Sequence, residues 1–319
     1  MLIDSHCHLD FPVFAQDRDA VIARAVNESV SRFVVPSTTV ASFADVLELV
    51  QSSPRIFGAL GLHPYFLSEH GESALAALHQ ALDQHAGDIV ALGECGFDAR
   101  LADHDAQWQL FEAQLSMARE FSLPVIVHCV RANDEVAKRL KNARLTRGGI
   151  IHAFAGSQVQ AERFLELGFV LGLGGSVTYP RARKLRGVVA SLPEDGFVLE
   201  TDSPDMPLQG FQGQRNEPAR VAEVARSVAS LRGGECPAAV SASRGDPAAG
   251  LFRLAASRSQ RAAAGRQSWS GAGGKPDDAG AGQNPECLDH SWTGAGALAA
   301  PAAGSAGARD GYRHRAIES

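Results

Sequence analysis

PVIVHCVRANDEVAKRLKNARLTRGGIIHAF, residues 124–154, contains one full repeat of this chain's architecture. The apolar run PVIVH (124–128) stops at a histidine. DEVAKRLKNA (134–143) carries apolar residues at three- and four-residue spacing, and GIIHAF (149–154) is apolar again with a histidine inside it. A short apolar run, an amphipathic helix and a second short run make a strand–helix–strand unit, which implies parallel strands. The alternation extends in both directions. Further strands are expected at LIDSH (2–6), FVVPS (33–37), IFGALGLH (56–63), IVALGE (89–94), FVLGLGG (169–175) and FVLETD (197–202). Helical patterns separate them at 18–29, 41–53, 73–85, 104–121 and 157–167. Eight strands in this order suit a (β/α)8 TIM barrel of about 250 residues. A doubly wound open sheet is the alternative, but the glycine-rich dinucleotide turn is missing after the first strand. LGLGG (171–175) comes late, at the seventh strand, and reads as close backbone packing.

The 319 residues are 45% hydrophobic with a formal net charge of −6. That balance supports a globular enzyme-sized core and argues against a broad basic surface for long-range capture of a nucleic-acid backbone. A contact with a strand end stays open. The five cysteines (Cys7, Cys95, Cys129, Cys236 and Cys287) contain no CxxC pair, which points to free thiols in a reducing, cytoplasmic compartment. No secretory pattern opens the chain and no run approaches a membrane span. No obligate protein partner is evident.

Composition changes near Gly233. Of residues 261–310, 14 are Ala and 10 are Gly, and only Leu288 and Leu298 represent Leu, Ile, Val and Phe. Such a stretch cannot bury enough apolar surface to offset its ordering entropy. The expected division is a barrel over 1–254 and a disordered low-complexity tail over 255–319. The tail also has the composition of an out-of-frame reading of a GC-rich gene.

Polar residues at the ends of barrel strands carry the chemistry of this fold. Five of the eleven histidines stand at expected strand ends: His6, His8, His63, His128 and His152. Alternation along a strand turns His6 and His8 to one side and Cys7 to the other, so the two imidazoles can share an ion. Glu94 and Asp202 each end an apolar run, where an uncompensated carboxylate would be costly. Cys7, Cys95 and Cys129 sit beside proposed ligands and are read as buried thiols. Glu200 reads as a ligand or as an acceptor that orients a histidine. Asp4 and Asp10 read equally as caps or ligands. Mixed imidazole and carboxylate donors fit divalent cations such as Zn, Mn, Mg, Fe or Ni. Six ligands drawn from the five histidines, Glu94 and Asp202 exceed a simple catalytic zinc site and suit two ions bridged by a carboxylate, an arrangement used in hydrolysis.

DSHCHLD, GLHP, GECGFD, PVIVH, HAFAGS and ETDSPDMP, in this order, resemble the TatD family of metal-dependent deoxyribonucleases. The likeness covers about residues 1–232 and is strongest to its YjjV-like branch, through Glu200–Gln214. The resemblance implies a TIM barrel with two divalent metal cations. His6, His8 and Asp202 would hold one and His128 and His152 the other, with Glu94 bridging. It implies Glu94 and Asp202 as catalytic carboxylates. It makes His63 a substrate-side or supporting histidine and Arg131 and Arg215 candidates for a substrate phosphate. The helix start at Asn216, Glu217 and Pro218 is a further candidate for an anion. The implied activity is cleavage of DNA phosphodiester bonds, 3′-5′ exonuclease-like. A small-molecule amidohydrolase or lactonase on the same barrel is the alternative, and an inactive binding protein a third reading. The bridging lysine common in the second class has no counterpart: Lys138, Lys141, Lys184 and Lys275 are all away from strand ends.

Overall fold

Each apolar run becomes a strand and each amphipathic stretch a helix in the computed structural model, which describes residues 2–234. The strands are β1 (Leu2–Asp4), β2 (Val30–Pro36), β3 (Ile56–Leu60), β4 (Ile89–Asp98), β5 (Val125–Val130), β6 (Gly149–Ile151), β7 (Phe169–Leu173) and β8 (Phe197–Leu199). The helices are α1 (Arg18–Asn27), α2 (Phe43–Ser52), α3 (Ala74–Gln84), α4 (His104–Glu120), α5 (Asn133–Ala143), α6 (Gln158–Glu166), α7 (Arg183–Ser191) and α8 (Val221–Leu231). All seven ladders between consecutive strands are parallel. The ring closes just past β8 and β1. Ser5 N donates to Leu199 O (2.9 Å), Asp202 N to His6 O (2.9 Å) and His8 N to Ser203 O (2.7 Å). This is the TIM barrel that the alternation predicts. The expected division at 254/255 and the tail after it lie outside the described residues.

Two apolar layers hold the ring. Ile3, Val34, Ala59, Ala91, Ile126, Ile150, Val170 and Val198, one from each strand, fill the barrel interior. A larger layer lies between sheet and helices and includes Phe14, Phe33, Phe111 and Phe164. Buried Val136, Ala137 and Leu140 form the inner stripe of α5. A capping box starts α6: Gln160 N donates to Ser157 Oγ (3.3 Å) and Ser157 N to Gln160 Oε1 (2.9 Å).

The strands end differently from expectation. β1, β3, β6 and β8 stop early, so His6, His8, His63, His152 and Asp202 stand on loop segments just past them. Their backbones leave the regular ladder but still bond across it: His63 N donates to Thr38 O (2.9 Å) and His152 N to Val127 O (3.0 Å). β4 and β5 run longer and carry Glu94 and His128 within them.

β4 also contains the register change that aims the centre. Leu92 pairs with Val125 and Cys95 with Val127, so β4 advances three residues while β5 advances two. The inserted residue reverses the alternation. Ala91 is inside the barrel, yet Cys95 and Phe97 pack on the helix side. Glu94 and Asp98 are thereby turned inward. Gly93 makes this possible. Its φ is +152°, and a Cβ there would meet Ile126 Cβ at 2.8 Å.

Candidate metal centre

His6, His8, His63, Glu94, His128 and His152 converge, buried, at the C-terminal end of the barrel. Asp202 joins them with 15% of its side chain exposed, the most open of the set. Glu94 stands at the middle with its two oxygens facing different partners. Oε2 lies 3.0 Å from His6 Nε2 and 3.6 Å from His8 Nε2. Oε1 lies 2.9 Å from His128 Nδ1, 3.1 Å from His63 Nε2 and 4.0 Å from His152 Nε2. Asp202 Oδ1 is 3.6 Å from each of His6, His8 and His152 Nε2. Three sets have atoms close enough to hold one cation: His6, His8 and Glu94; His6, His152 and Asp202; His63, Glu94 and His128.

The donor chemistry fits a divalent cation. His6 Nε2 and His8 Nε2 face each other at 3.2 Å with two carboxylate oxygens beside them. Nδ1 of both rings is buried without a hydrogen-bond partner. Lone pairs aimed at one buried point repel each other unless a cation or protons lie between them.

A ring of acids orients these side chains. Glu200 Oε1 lies 2.9 Å from His152 Nδ1, as the orienting reading of that residue requires. Gly172 leaves it room, since a Cβ there would come within 2.2 Å of Glu200 Oε2. Asp4 accepts from Thr201 N (2.9 Å), Thr201 Oγ1 (2.6 Å) and His6 N (3.3 Å), so it ties β1 to the loop after β8. Asp10 Oδ1 approaches His8 Nδ1 at 4.0 Å. Asp98 is the residue sequence reasoning missed. Its Oδ2 is 3.2 Å from His128 Nε2, and Arg100 donates to its Oδ1 through Nε (2.9 Å) and to its Oδ2 through Nη2 (2.5 Å). The signal was present: Asp98 closes the GECGFD motif four residues after Glu94.

Burial and mutual charge set the protonation of the centre. Burial opposes ionisation of Glu94, but the surrounding histidines outweigh it and hold the carboxyl well below its usual range. Asp202 behaves alike, against burial and through His152, His6 and His8, at about 2. Burial lowers His8, yet the Glu94 hydrogen bond and the Asp10 and Asp202 charges carry it to about 9. His152 is raised against burial by Glu200, Asp202 and Glu94. His63 moves the other way, with burial bringing it to about 4. Its Nδ1 accepts the backbone N–H of Tyr65 at 3.0 Å. In the neutral ring the proton therefore sits on Nε2, the nitrogen facing Glu94.

The remaining candidates separate. Arg131, directly after β5, is exposed with φ 54°. Arg215 is engaged elsewhere. It donates to Asp17 Oδ1 (2.9 Å), Asp17 Oδ2 (2.7 Å) and Val13 O (2.8 Å), and lies 4.7 Å over Phe14. Asn216 is buried and gives its amide to the carbonyls of Thr201 (2.9 Å), Asp205 (2.8 Å) and Met206 (3.2 Å), bracing the loop that carries Asp202. Glu217 pairs with Arg24 at 2.6 Å. Cys7, Cys95 and Cys129 are free, buried and on the helix side. Burial pushes the Cys129 thiol up to about 12 and raises Cys7 and Cys95 as well, so none supplies a thiolate.

Comparisons with known proteins agree with this geometry. The family model described as TatD related DNase matches residues 3–243. Over 234 residues the chain is 45% identical to an uncharacterized metal-dependent hydrolase, YjjV, of Escherichia coli (strain K12), spanning 72% of this chain and 90% of that protein. The crystal structure of YjjV from Escherichia coli K12 superposes with a TM-score of 0.71 at 41% identity, over 82% of this chain and 96% of that one. A 3′-5′ ssDNA/RNA exonuclease, TatD, of Erwinia tasmaniensis is 31% identical over 241 residues, 73% of this chain and 92% of that protein. With these likenesses and a histidine–carboxylate centre at the mouth of the barrel, the chain belongs to the TatD-related DNase family and is a metal-dependent hydrolase.

Proposed function

We propose that the chain is a two-metal phosphodiesterase that cleaves DNA, working at strand ends as a 3′-5′ exonuclease. The observation that carries this reading is Glu94, whose two oxygens face two different groups of histidines. His6, His8, Asp202 and Glu94 Oε2 would hold one ion. For the second, the fixed tautomer of His63 matters. Its Nε2 bears a proton and has no lone pair for a metal, which leaves His128, His152 and Glu94 Oε1. Divalent cations bound there would lower the pKa of water and offset charge on the attacked and leaving oxygens.

The protein's own groups supply the remainder. Asp202, ionised and the most open of the set, accepts the proton of the attacking water. His63, neutral, offers Nε2–H to a phosphoryl or leaving oxygen. Glu200 and Asp98 keep His152 and His128 in orientation. Arg131 supplies a cation for a substrate phosphate. The exonuclease TatD of Erwinia tasmaniensis supports a nucleic-acid substrate. Three buried free thiols support a reducing, cytoplasmic setting. No described helix is long and apolar enough to cross a membrane.

The test is a hydrolysis panel on metal-reconstituted protein, with single-stranded DNA, RNA, a bis-nitrophenyl phosphate, a lactone and a cyclic amide. Turnover of phosphodiesters, with DNA preferred, is expected. Turnover of the lactone or amide with no phosphoester cleaved would overturn the proposal in favour of an amidohydrolase or lactonase.

A further inference from the structure

Tyr65 is 51% exposed, the one aromatic ring among the large apolar side chains that the described residues leave in water. It is also firmly held. It lies on the short helical turn Pro64–Glu69, its backbone N–H bonds His63 Nδ1 at 3.0 Å, and His70 Nε2 lies 2.9 Å from His63 O. Buried Phe66 meets the Tyr65 ring edge-to-face at 5.2 Å and 74°. An aromatic face on an anchored stretch of backbone is thus presented to solvent two residues from the histidine that reaches Glu94.

The strand order places a complementary group opposite. β4, which carries Glu94, lies between β3 and β5. The segment after β3 carries Tyr65 and the one after β5 carries Arg131, so the two leave strands on either side of β4, whose axes lie about 10 Å apart. Arg131 has no ion-pair partner among the described residues. A net charge of −6 argues against holding a polyanion by long-range attraction alone, which leaves room for another source of substrate affinity. Base stacking on an aromatic face is such a source, and it tolerates any sequence because every base has a π-face.

Resting on the nucleic-acid reading above, we infer that Tyr65 is the stacking platform for a base of a single-stranded substrate and that Arg131 takes an adjoining phosphate across the centre. Tyr65 would then distinguish an oligonucleotide from a small phosphoester.

The experiment uses the full, metal-reconstituted chain. One substrate is a labelled single-stranded DNA, and the other is the same strand with abasic sugars in its last positions at each end. On the intact strand, Tyr65→Ala should raise KM about tenfold with kcat little changed. Tyr65→Trp and Tyr65→Phe should stay within about twofold of the wild type. The alanine penalty should shrink below about twofold on the abasic strand. Arg131→Gln should raise KM on both strands alike and flatten the salt dependence. Thermal melting checks that the variants fold. An alanine penalty equal on the two strands, or none on either, would overturn the platform while the nuclease reading stands. An unchanged KM in Arg131→Gln would overturn the phosphate contact. If the wild-type protein cleaves neither strand, the nuclease reading falls and this inference falls with it.

Discussion

Tyr65 donates its backbone N–H to His63 Nδ1 at 3.0 Å, and this bond makes His63 a hydrogen-bond donor toward the metal centre. His63→Ala should therefore lower kcat by about 100-fold, the cost of one preorganised donor. Metal content should stay unchanged. Elemental analysis alongside kinetics checks this: loss of one metal equivalent in the variant would make His63 a ligand instead.

On the two-ion proposal Glu94 is indispensable to both sites, because Oε2 faces His6 and Oε1 faces His128. Glu94→Ala should abolish metal loading and phosphodiesterase activity together. Full activity in that variant would falsify the bridging role.

Orienting acids should weaken metal binding without removing a ligand. Glu200→Gln releases His152 Nδ1, and Asp98→Asn loosens the hold on His128 Nε2. Each should cost about 10- to 100-fold in metal affinity. Competition with a chromogenic chelator measures it. Wild-type affinity in both variants would reduce these acids to packing roles.

Metal loading should strengthen with pH. In the metal-free centre His8 keeps its proton until about 9, and His152 is raised as well. A cation binds the neutral imidazole, so below that pKa it must displace a proton. Affinity should climb from about pH 6 towards about pH 9 and then level. Calorimetry at neutral pH in buffers of different ionisation enthalpy should register proton release. A pH-independent affinity with no release would count against the protonated His8.

The β4 register change should be sensitive to a single methyl group. Gly93→Ala puts a Cβ 2.8 Å from that of Ile126 at a φ of +152°. A loss of about 1–3 kcal/mol is expected from the overpacking. It should appear as a lower melting temperature with weaker metal loading. Unchanged melting would show that the bulge relaxes freely.

The strand–helix alternation was legible because it is local. Val125–Val127 and the stripe Val136, Ala137 and Leu140 follow the periods of a strand and a helix whatever the rest of the chain does. Strand ends were less legible. β1 stops at Asp4, whereas the alternation suggested Ser5 and His6, because Ser5 N turns to Leu199 O of β8 and His6 O accepts from Asp202 N. Asp98 closes the GECGFD motif, but the contact with His128 that gives it a role joins two strands and exists only in the folded barrel. The pairing of Arg215 with Asp17, almost two hundred residues earlier, had no local signal either.

By itself, then, the sequence determined the order of the strands, the types of donor at their ends and the family to which the motifs point. These follow from residue type and short-range periodicity. The tertiary structure decided which way those donors face. An unbroken alternation from Ala91 would put Cys95 inside the barrel and Glu94 outside. One extra residue, counted only against the neighbouring β5, reverses them. The proton on His63, the anchoring of Arg215 and the exposed ring of Tyr65 were likewise settled by partners and surroundings that exist only once the barrel has closed.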